Sequence, residues 1–314
     1  MNSALPAIFW KNIARFPEMS QGNPDFRVLL SEWNAPEPYF EFPKAKKRTL
    51  QAQRKPWRVA SDNKYQPVHL VASTCESLLN VYPDAIEIGS PLGSEGKTIF
   101  GTLFLVIMTV FMIMFAYAGV AVWNPDQPIL VGTSILMFFA SAIAFLAAVV
   151  CFKLVLFSPR DLPVLFNRKT RQVSFIQLRP FIFFRFWKKQ GVAEPRTYSW
   201  DDVKARSYKM TQFTGAAARE TYFLTLLWGE PNKPNLCKEI VNIGYAGWWE
   251  DAVLWRLYEH IRRYMEEGGA PIQPGEKLRR SGVGKVPAFS PEIIAAAGGA
   301  ALSDQKVYNL AHGG

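Results

Sequence analysis

The acidic residues offer three adjacent pairs that could act as a general acid and base: Asp201-Asp202, Glu250-Asp251 and Glu266-Glu267. Successive residues of a strand point to opposite faces, so Asp201-Asp202, which follows Trp200 at the start of a predicted strand, makes a poor catalytic pair. Glu250-Asp251 falls in the first turn of a predicted helix, where acids interact favourably with the helix dipole. We therefore expect structural roles for these pairs.

The histidines and cysteines are too scattered to predict a metal site or a disulfide framework. His69, His260 and His312 each lack a neighbouring histidine or cysteine, which a zinc site would require. An odd, sparse set of cysteines is typical of a reducing compartment. These cysteines are Cys75, Cys151 and Cys237. With no phosphate-binding glycine loop or nucleophile elbow either, we predict that the protein is not an enzyme and needs no cofactor or metal.

Two long uncharged segments, Ile99–Val122 and Ile129–Phe152, lie in the middle of the chain. Crossing about 30 Å of hydrocarbon needs roughly 20 apolar residues, and each segment supplies them. The connection between them is too short for a domain, so the two helices are antiparallel neighbours. Neither segment contains Asp, Glu, Lys, Arg or His, and transport usually needs such groups. We predict a transmembrane helical hairpin over 98–157 that serves as an anchor.

Basic residues around this hairpin predict its orientation. Lys97 precedes the first helix and several cations follow the second, whereas the short loop has none. The positive-inside rule then places both soluble regions and both termini in the cytoplasm. The cations after the second helix are also predicted to contact anionic lipid. They are Lys153, Arg160, Arg168, Lys169 and Arg171.

Small residues recur on one face of the second helix, at Ala140, Ala144 and Ala148. Such a stripe allows two helices to approach closely. It predicts a seam within the hairpin or between the protomers of a homo-oligomer, although simple abundance of alanine gives the same pattern.

The formal net charge of +10 indicates an anionic neighbour. Residues 44–58 carry seven Lys or Arg and no acid, which suits either lipid headgroups or a solvated loop. Residues 153–189 carry nine Lys or Arg against one acid, Asp161, with aromatic residues interleaved. Directly after a membrane helix, an anionic membrane surface is favoured over nucleic acid as the partner.

The soluble residues fall into four segments by composition. They are 1–66, rich in proline, aromatic and basic residues; 67–97, with two β-like runs around Pro83-Asp84; 158–269, with alternating apolar runs; and 270–314, rich in alanine and glycine. The last segment has no strong apolar period and is predicted to be disordered.

Segment 158–269 has the pattern of antiparallel strands closed by one helix. Val164–Phe166 and Arg171–Ile176 flank an Asn-led polar turn and predict a hairpin. Further strands are predicted at Phe181–Trp187, Val203–Met210, Thr221–Trp228 and Glu239–Ile243, and a helix at Ala246–Glu267 that Gly268 ends. The predicted class is an α+β membrane protein with a pleckstrin-homology-like cytoplasmic domain. One hypothesis adds the strands of 67–97 to the same sheet, which would make the hairpin an insertion into a split domain.

Two short motifs resemble those of a known family. They are Leu165-Phe166-Asn167-Arg168-Lys169 and Trp200-Asp201-Asp202-Val203. Over roughly residues 70 to 265, the chain resembles the bacterial family called domain of unknown function 6708. Its genes tend to lie beside type VI secretion and Rhs-type toxin genes. The resemblance therefore implies an inner-membrane immunity protein or another secretion-associated partner.

Two functional hypotheses follow. In the first, the protein is a membrane-anchored immunity protein that binds and neutralises a cognate type VI secretion or Rhs toxin by protein–protein contact. In the second, it is a membrane-tethered scaffold or lipid-sensing adaptor. Four tryptophans are candidate partner contacts, although each has packing in the core as its alternative: Trp187, Trp228, Trp248 and Trp249.

Overall fold

The computed structural model describes residues 24–34, 40–90, 95–157, 159, 161–179, 191–213, 218–248, 250–280 and 285–313. Over these residues the chain is an α+β structure with two antiparallel sheets and two long apolar helices.

The five-stranded sheet consists, in spatial order, of β2 (Leu78–Val81), β3 (Ala85–Gly89), β4 (Pro163–Asn167), β5 (Gln172–Phe175) and β6 (Arg196–Ser199). The four-stranded sheet consists of β1 (Arg58–Val59), β7 (Lys204–Phe213), β8 (Ala218–Glu230) and β9 (Lys233–Trp248). The helices are α1 (Leu50–Gln53), α2 (Glu95–Val122), α3 (Pro128–Phe157), α4 (Asp251–Glu266), α5 (Pro291–Ala296) and α6 (Asp304–His312). Short 3-10 turns cover Pro24–Phe26 and Lys44–Lys46.

The two long helices are inserted between neighbouring strands of one sheet. β3 pairs antiparallel with β4, so that Gly89 lies opposite Pro163 and Ala85 lies opposite Asn167. Helices α2 and α3 lie between Gly89 and Pro163 in the chain, so the helical hairpin enters and leaves the sheet at one end. We call this the hairpin end, and the opposite end, at the turn 168–171, the far end. The hypothesis of a split domain is confirmed.

The four soluble segments share one core. A single hydrophobic cluster contains Ala60, Leu78, Val164 and Val307, one residue from each segment. The N-terminal segment also adds β1 to the edge of β7, where Arg58 lies opposite Ser207. These segments are therefore parts of one folded unit.

The C-terminal segment covers the second face of the five-stranded sheet. Ala85 and Leu165 point away from the main core and pack against Phe289 and Ala297. Farther along, α6 returns to the main core and buries Val307 and Ala311 there. The prediction of disorder over 270–314 is therefore wrong for residues 270–280 and 285–313. The apolar residues of this segment are few and widely spaced, so its composition did not indicate that they pack against the sheet.

Helix α4 packs against both sheets and buries one whole face. It begins at Asp251 and not at Ala246, because β9 continues as strand to Trp248. Gly268 has a φ of +66°, a left-handed conformation that ends the helix as predicted. The buried residues of its core face include Leu254, Trp255, Leu257, Tyr258 and Ile261.

Helices α2 and α3 are long and apolar enough to cross a membrane. Only 6% of an 18-residue apolar stretch within Gly101–Val122 and 11% of one within Pro128–Phe152 is buried inside the structure, so neither is a core helix of the two-sheet part. Ala144 and Ala148 are buried, and nearby Ser141 Oγ donates to Met112 O at 2.9 Å. The small-residue seam therefore lies within the hairpin.

Candidate functional site

The two motif segments meet at the far end of the five-stranded sheet. Arg171, in the turn after the first motif, donates from Nη2 to Asp201 Oδ1 at 2.5 Å and to Glu266 Oε1 at 3.0 Å. The Trp200 indole donates to the same Glu266 oxygen at 2.6 Å. A strand turn, the second motif and the last turn of α4 are thus joined at one point.

Local geometry explains the Asn-led turn. Asn167 Oδ1 accepts hydrogen bonds from the amides of Lys169 (3.0 Å) and Thr170 (3.1 Å), which closes the turn. Asn167 Nδ2 donates to Ala296 O at 2.8 Å and so holds α5. Arg171 then takes a φ of +53°, which directs the chain into β5.

Aromatic packing completes the junction. The Phe166 and Trp200 rings meet edge to face at 5.9 Å, and Trp200 also lies 6.2 Å from Tyr258 of α4. Phe166 and Trp200 are fully buried. Both motifs therefore lock strands β4 and β5 onto α4.

The comparisons with known proteins agree with these motifs. Residues 141–294 match the model of a family described as "Family of unknown function (DUF6708)". This segment belongs to the DUF6708 family. The resemblance inferred from the two motifs is confirmed, whereas the association with toxin genes stays a prediction. No curated protein and no solved structure matches the chain.

Three of the cations predicted to contact lipid lie at the far end of the five-stranded sheet and already have partners within the protein. Arg168 stacks 4.9 Å from the Tyr264 ring, and Lys169 Nζ lies 3.4 Å from Asp84 Oδ2. Arg171 binds Asp201 and Glu266 as described. The sequence gives no sign of these partners, because they lie far along the chain. Lys169 remains 71% exposed and Arg171 39% exposed, and their contact with lipid stays a prediction. Arg160 and the side chain of Lys153 lie outside the described residues.

One of the four candidate tryptophans belongs to the core. Trp228 is 1% exposed, packs on Phe175 and Tyr198 at 5.5 Å, and donates from its indole to Ser199 O. It is unavailable to a partner, so that prediction is wrong. Trp187, Trp249 and the side chain of Trp248 lie outside the described residues.

The acidic pairs of the DUF6708 segment make separate contacts. Asp251 Oδ2 binds Arg58 Nε at 2.5 Å, and Glu267 binds Arg262 at 2.8 Å. The hydrogen bond from Arg171 holds the pKa of Asp201 below its usual range, as befits a permanent anion. Within the described residues, no group of three His, Cys, Asp or Glu side chains is arranged to hold a metal ion.

A cleft of about 570 Å³ lies outside the family motifs, between residues 73–76 and 275–280. Glu276 holds its floor by accepting from Thr74 N at 2.9 Å and Ser73 Oγ at 2.5 Å. Burial raises the pKa of the Cys75 thiol in this cleft to about 11, which makes it a poor nucleophile at neutral pH. Sequence reasoning missed this cleft because it predicted one of its walls to be disordered.

Buried His260 predicts a pH-dependent stability. Burial lowers the pKa of His260 to about 4 from an ordinary value of 6.5. Between about pH 6.5 and pH 4, His260 is protonated in the unfolded chain but stays neutral in the folded chain. The free energy of unfolding therefore decreases as the pH falls through this range. The slope is about 1.4 kcal/mol per pH unit, or about 3 kcal/mol in all. Urea unfolding at pH 7 and pH 5 measures it.

The control for this slope is His260→Asn, whose amide oxygen replaces the Nδ1 atom that lies 3.1 Å from Gln273 Nε2. The variant should lose most of the difference between pH 7 and pH 5. An unchanged difference would assign the pH dependence to other groups.

Proposed function

We propose that the protein is a membrane-anchored immunity protein that binds and neutralises a cognate toxin by protein–protein contact, without chemistry. The observation that carries the proposal is the pairing of β3 with β4 across the hairpin. It builds the folded domain directly on the two ends of an apolar hairpin, as a tethered binding module requires. The toxin as partner comes from the association with type VI secretion and Rhs loci that the resemblance implies.

We further propose that the soluble part is pleckstrin-homology-like. Strands β2 to β6 follow one another in spatial order in one sheet, and β7 to β9 do so in the second. A helix then follows β9 and packs on both sheets. This order, two meanders and a closing helix, supports the assignment. Folds of this kind commonly serve in binding, and the argument from fold to function is by analogy.

In the proposed topology, α2 and α3 cross the inner membrane, both termini are cytoplasmic and the loop between the two helices is periplasmic. Because β3 and β4 belong to one sheet, the chain before and after the hairpin must lie on the same side. A periplasmic reporter inserted at exposed Asp126 should be active, and the same reporter at either terminus should be silent. Activity at a terminus would contradict the topology.

Growth rescue tests neutralisation. The chain should restore growth when it is co-expressed with one of the toxins encoded beside its gene, and failure with all of them would contradict the proposal. If neutralisation needs contact only, Asp202→Asn and Glu250→Gln should still protect. A catalytic group would instead give a folded, binding-competent variant that cannot protect.

A lipid-sensing adaptor is the second candidate function. Exposed cations concentrated near the hairpin end of the sheet favour it, and the proposed anchor would hold them close to lipid headgroups.

A further inference from the structure

A basic surface lies beside the hairpin end. Six exposed or half-exposed cations form it, and we call them the basic face: Lys44, Lys47, Arg48, Arg179, Arg196 and Lys238. They come from distant parts of the chain, and the fold brings them together.

Buried Glu239 holds this surface together. Its carboxylate accepts from Lys46 Nζ at 3.2 Å and forms an ion pair with Arg196. Gln177 Nε2 donates to Ile240 O at 3.0 Å, next to Glu239. The turn that carries Lys44, Lys47 and Arg48 is therefore fixed beside the ends of β5 and β6.

The strand register places these ends close to the hairpin. Arg196 lies opposite Phe175, and Phe175 lies opposite Val164, the neighbour of Pro163. With strands about 4.8 Å apart, Arg196 is about 10 Å sideways from the strand that continues from α3. The far end is about 13 Å more distant from α3 along β4.

The two ends also differ in charge. In the described segments that carry the six cations of the basic face, the exposed acids include Glu41 and Glu194. At the far end, the cations Arg168, Lys169 and Arg171 are matched by nearby carboxylates, which include Asp84, Asp201 and Glu266. An anionic surface would therefore attract the hairpin end strongly and the far end only weakly.

We infer that the basic face docks on the anionic lipid headgroups of the membrane that holds the hairpin. The inference rests on the proposed membrane insertion of α2 and α3. Each cation near an anionic leaflet strengthens the attraction about fivefold, and screening by salt weakens it.

The test uses the full chain in lipid nanodiscs of neutral phosphatidylcholine, or with about one third phosphatidylglycerol, at low salt. Hydrogen exchange over residues 40–49 should slow at least about tenfold in the anionic discs, because local opening must first break the lipid contacts. Exchange over 166–171 should be equal in both discs. Salt at about 0.5 M should remove the difference.

Matched variants separate docking from general charge. Lys44→Gln/Lys47→Gln removes two cations of the basic face and should reduce the slowing by up to about 25-fold, since each cation contributes about fivefold. Lys169→Gln/Lys306→Gln removes two exposed cations elsewhere and should keep it. Slowing that survives high salt, or equal loss in both variants, would overturn the inference.

Exchange over 101–122 reports on the anchor in the same samples. A hairpin protected in both discs, with no lipid-dependent slowing at 40–49, overturns the docking and leaves the anchor intact. A hairpin that exchanges freely overturns the anchor, and the docking inference falls with it.

Discussion

Replacing residues 91–160, which contain the proposed membrane anchor, with a short Gly-Ser-Asn-Gly linker should give a soluble, folded protein. Ser90 N donates to Leu162 O at 3.0 Å, so the ends left by the deletion are already adjacent. A tight connection of this length suits an antiparallel pair. The helices contribute little to the core, because only 6% and 11% of their 18-residue apolar stretches is buried.

Fractionation and unfolding measure this result. The full chain should remain in the membrane pellet after carbonate washing, whereas the deletion variant should be in the supernatant, monomeric, and unfold cooperatively. The design keeps Asp161, which is fully buried beside Arg279 at 3.4 Å. Aggregation of the variant would mean that the hairpin covers apolar surface of the soluble part.

Deleting α3 alone is the matched control. A single remaining span would place β3 and β4 on opposite sides of the membrane, and the five-stranded sheet could not form. We expect no folded domain and rapid proteolysis. Survival of a folded domain in this variant would show that α2 does not cross the membrane.

The sequence predicted the elements whose signal is local. The apolar length of α2 and α3, the alternation of β4 and β5 around Asn167, and the glycine that ends α4 were all found. β6 was missed because Arg196–Ser199 is short and half exposed at a sheet edge, so it has little apolar alternation. A short edge strand is defined by its partner more than by its own residues.

Contacts between distant residues could not be predicted from one sequence. Arg171 follows a polar turn and was assigned to lipid, yet the fold brings Glu266 within 3.0 Å of it. The cleft beside Glu276 was missed because the segment that forms one of its walls was predicted to be disordered. Trp228 was predicted to contact a partner but is buried. The alternation of apolar residues along β8 does not indicate which face of the strand a second sheet covers.

The second large effect that we expect is a loss of stability on replacing buried Glu259. Its carboxylate accepts from Arg262 Nη2 at 2.8 Å, Arg263 Nε at 2.7 Å and the Val68 amide at 3.0 Å. Glu259 and Arg262 are 0% and 2% exposed. Burial alone would raise the pKa of Glu259, but the hydrogen bonds from Arg262, the Val68 amide and Arg263 hold that pKa below its ordinary value. Its charge therefore stabilises the fold at neutral pH, and that contribution is lost only as pH falls through the lowered pKa.

Glu259→Ala should lower the free energy of unfolding by about 3–5 kcal/mol, because it leaves buried Arg262 without its main counter-charge. Urea unfolding of the protein in detergent micelles measures the loss. Hydrogen exchange should also accelerate over residues 64–70, since Arg262 and Arg263 donate to Lys64 O and Leu70 O. These bonds tie the segment before β2 to α4.

Glu267→Ala provides the control for burial. Glu267 binds the same Arg262 at 2.8 Å, but its side chain is 46% exposed. Solvent screens such a pair, so its loss should cost less than about 1 kcal/mol. If both variants lost the same free energy of unfolding, burial of the carboxylate would not determine how much its ion pair contributes to stability. A small loss for both would mean that Arg262 finds water or another acceptor when Glu259 is removed.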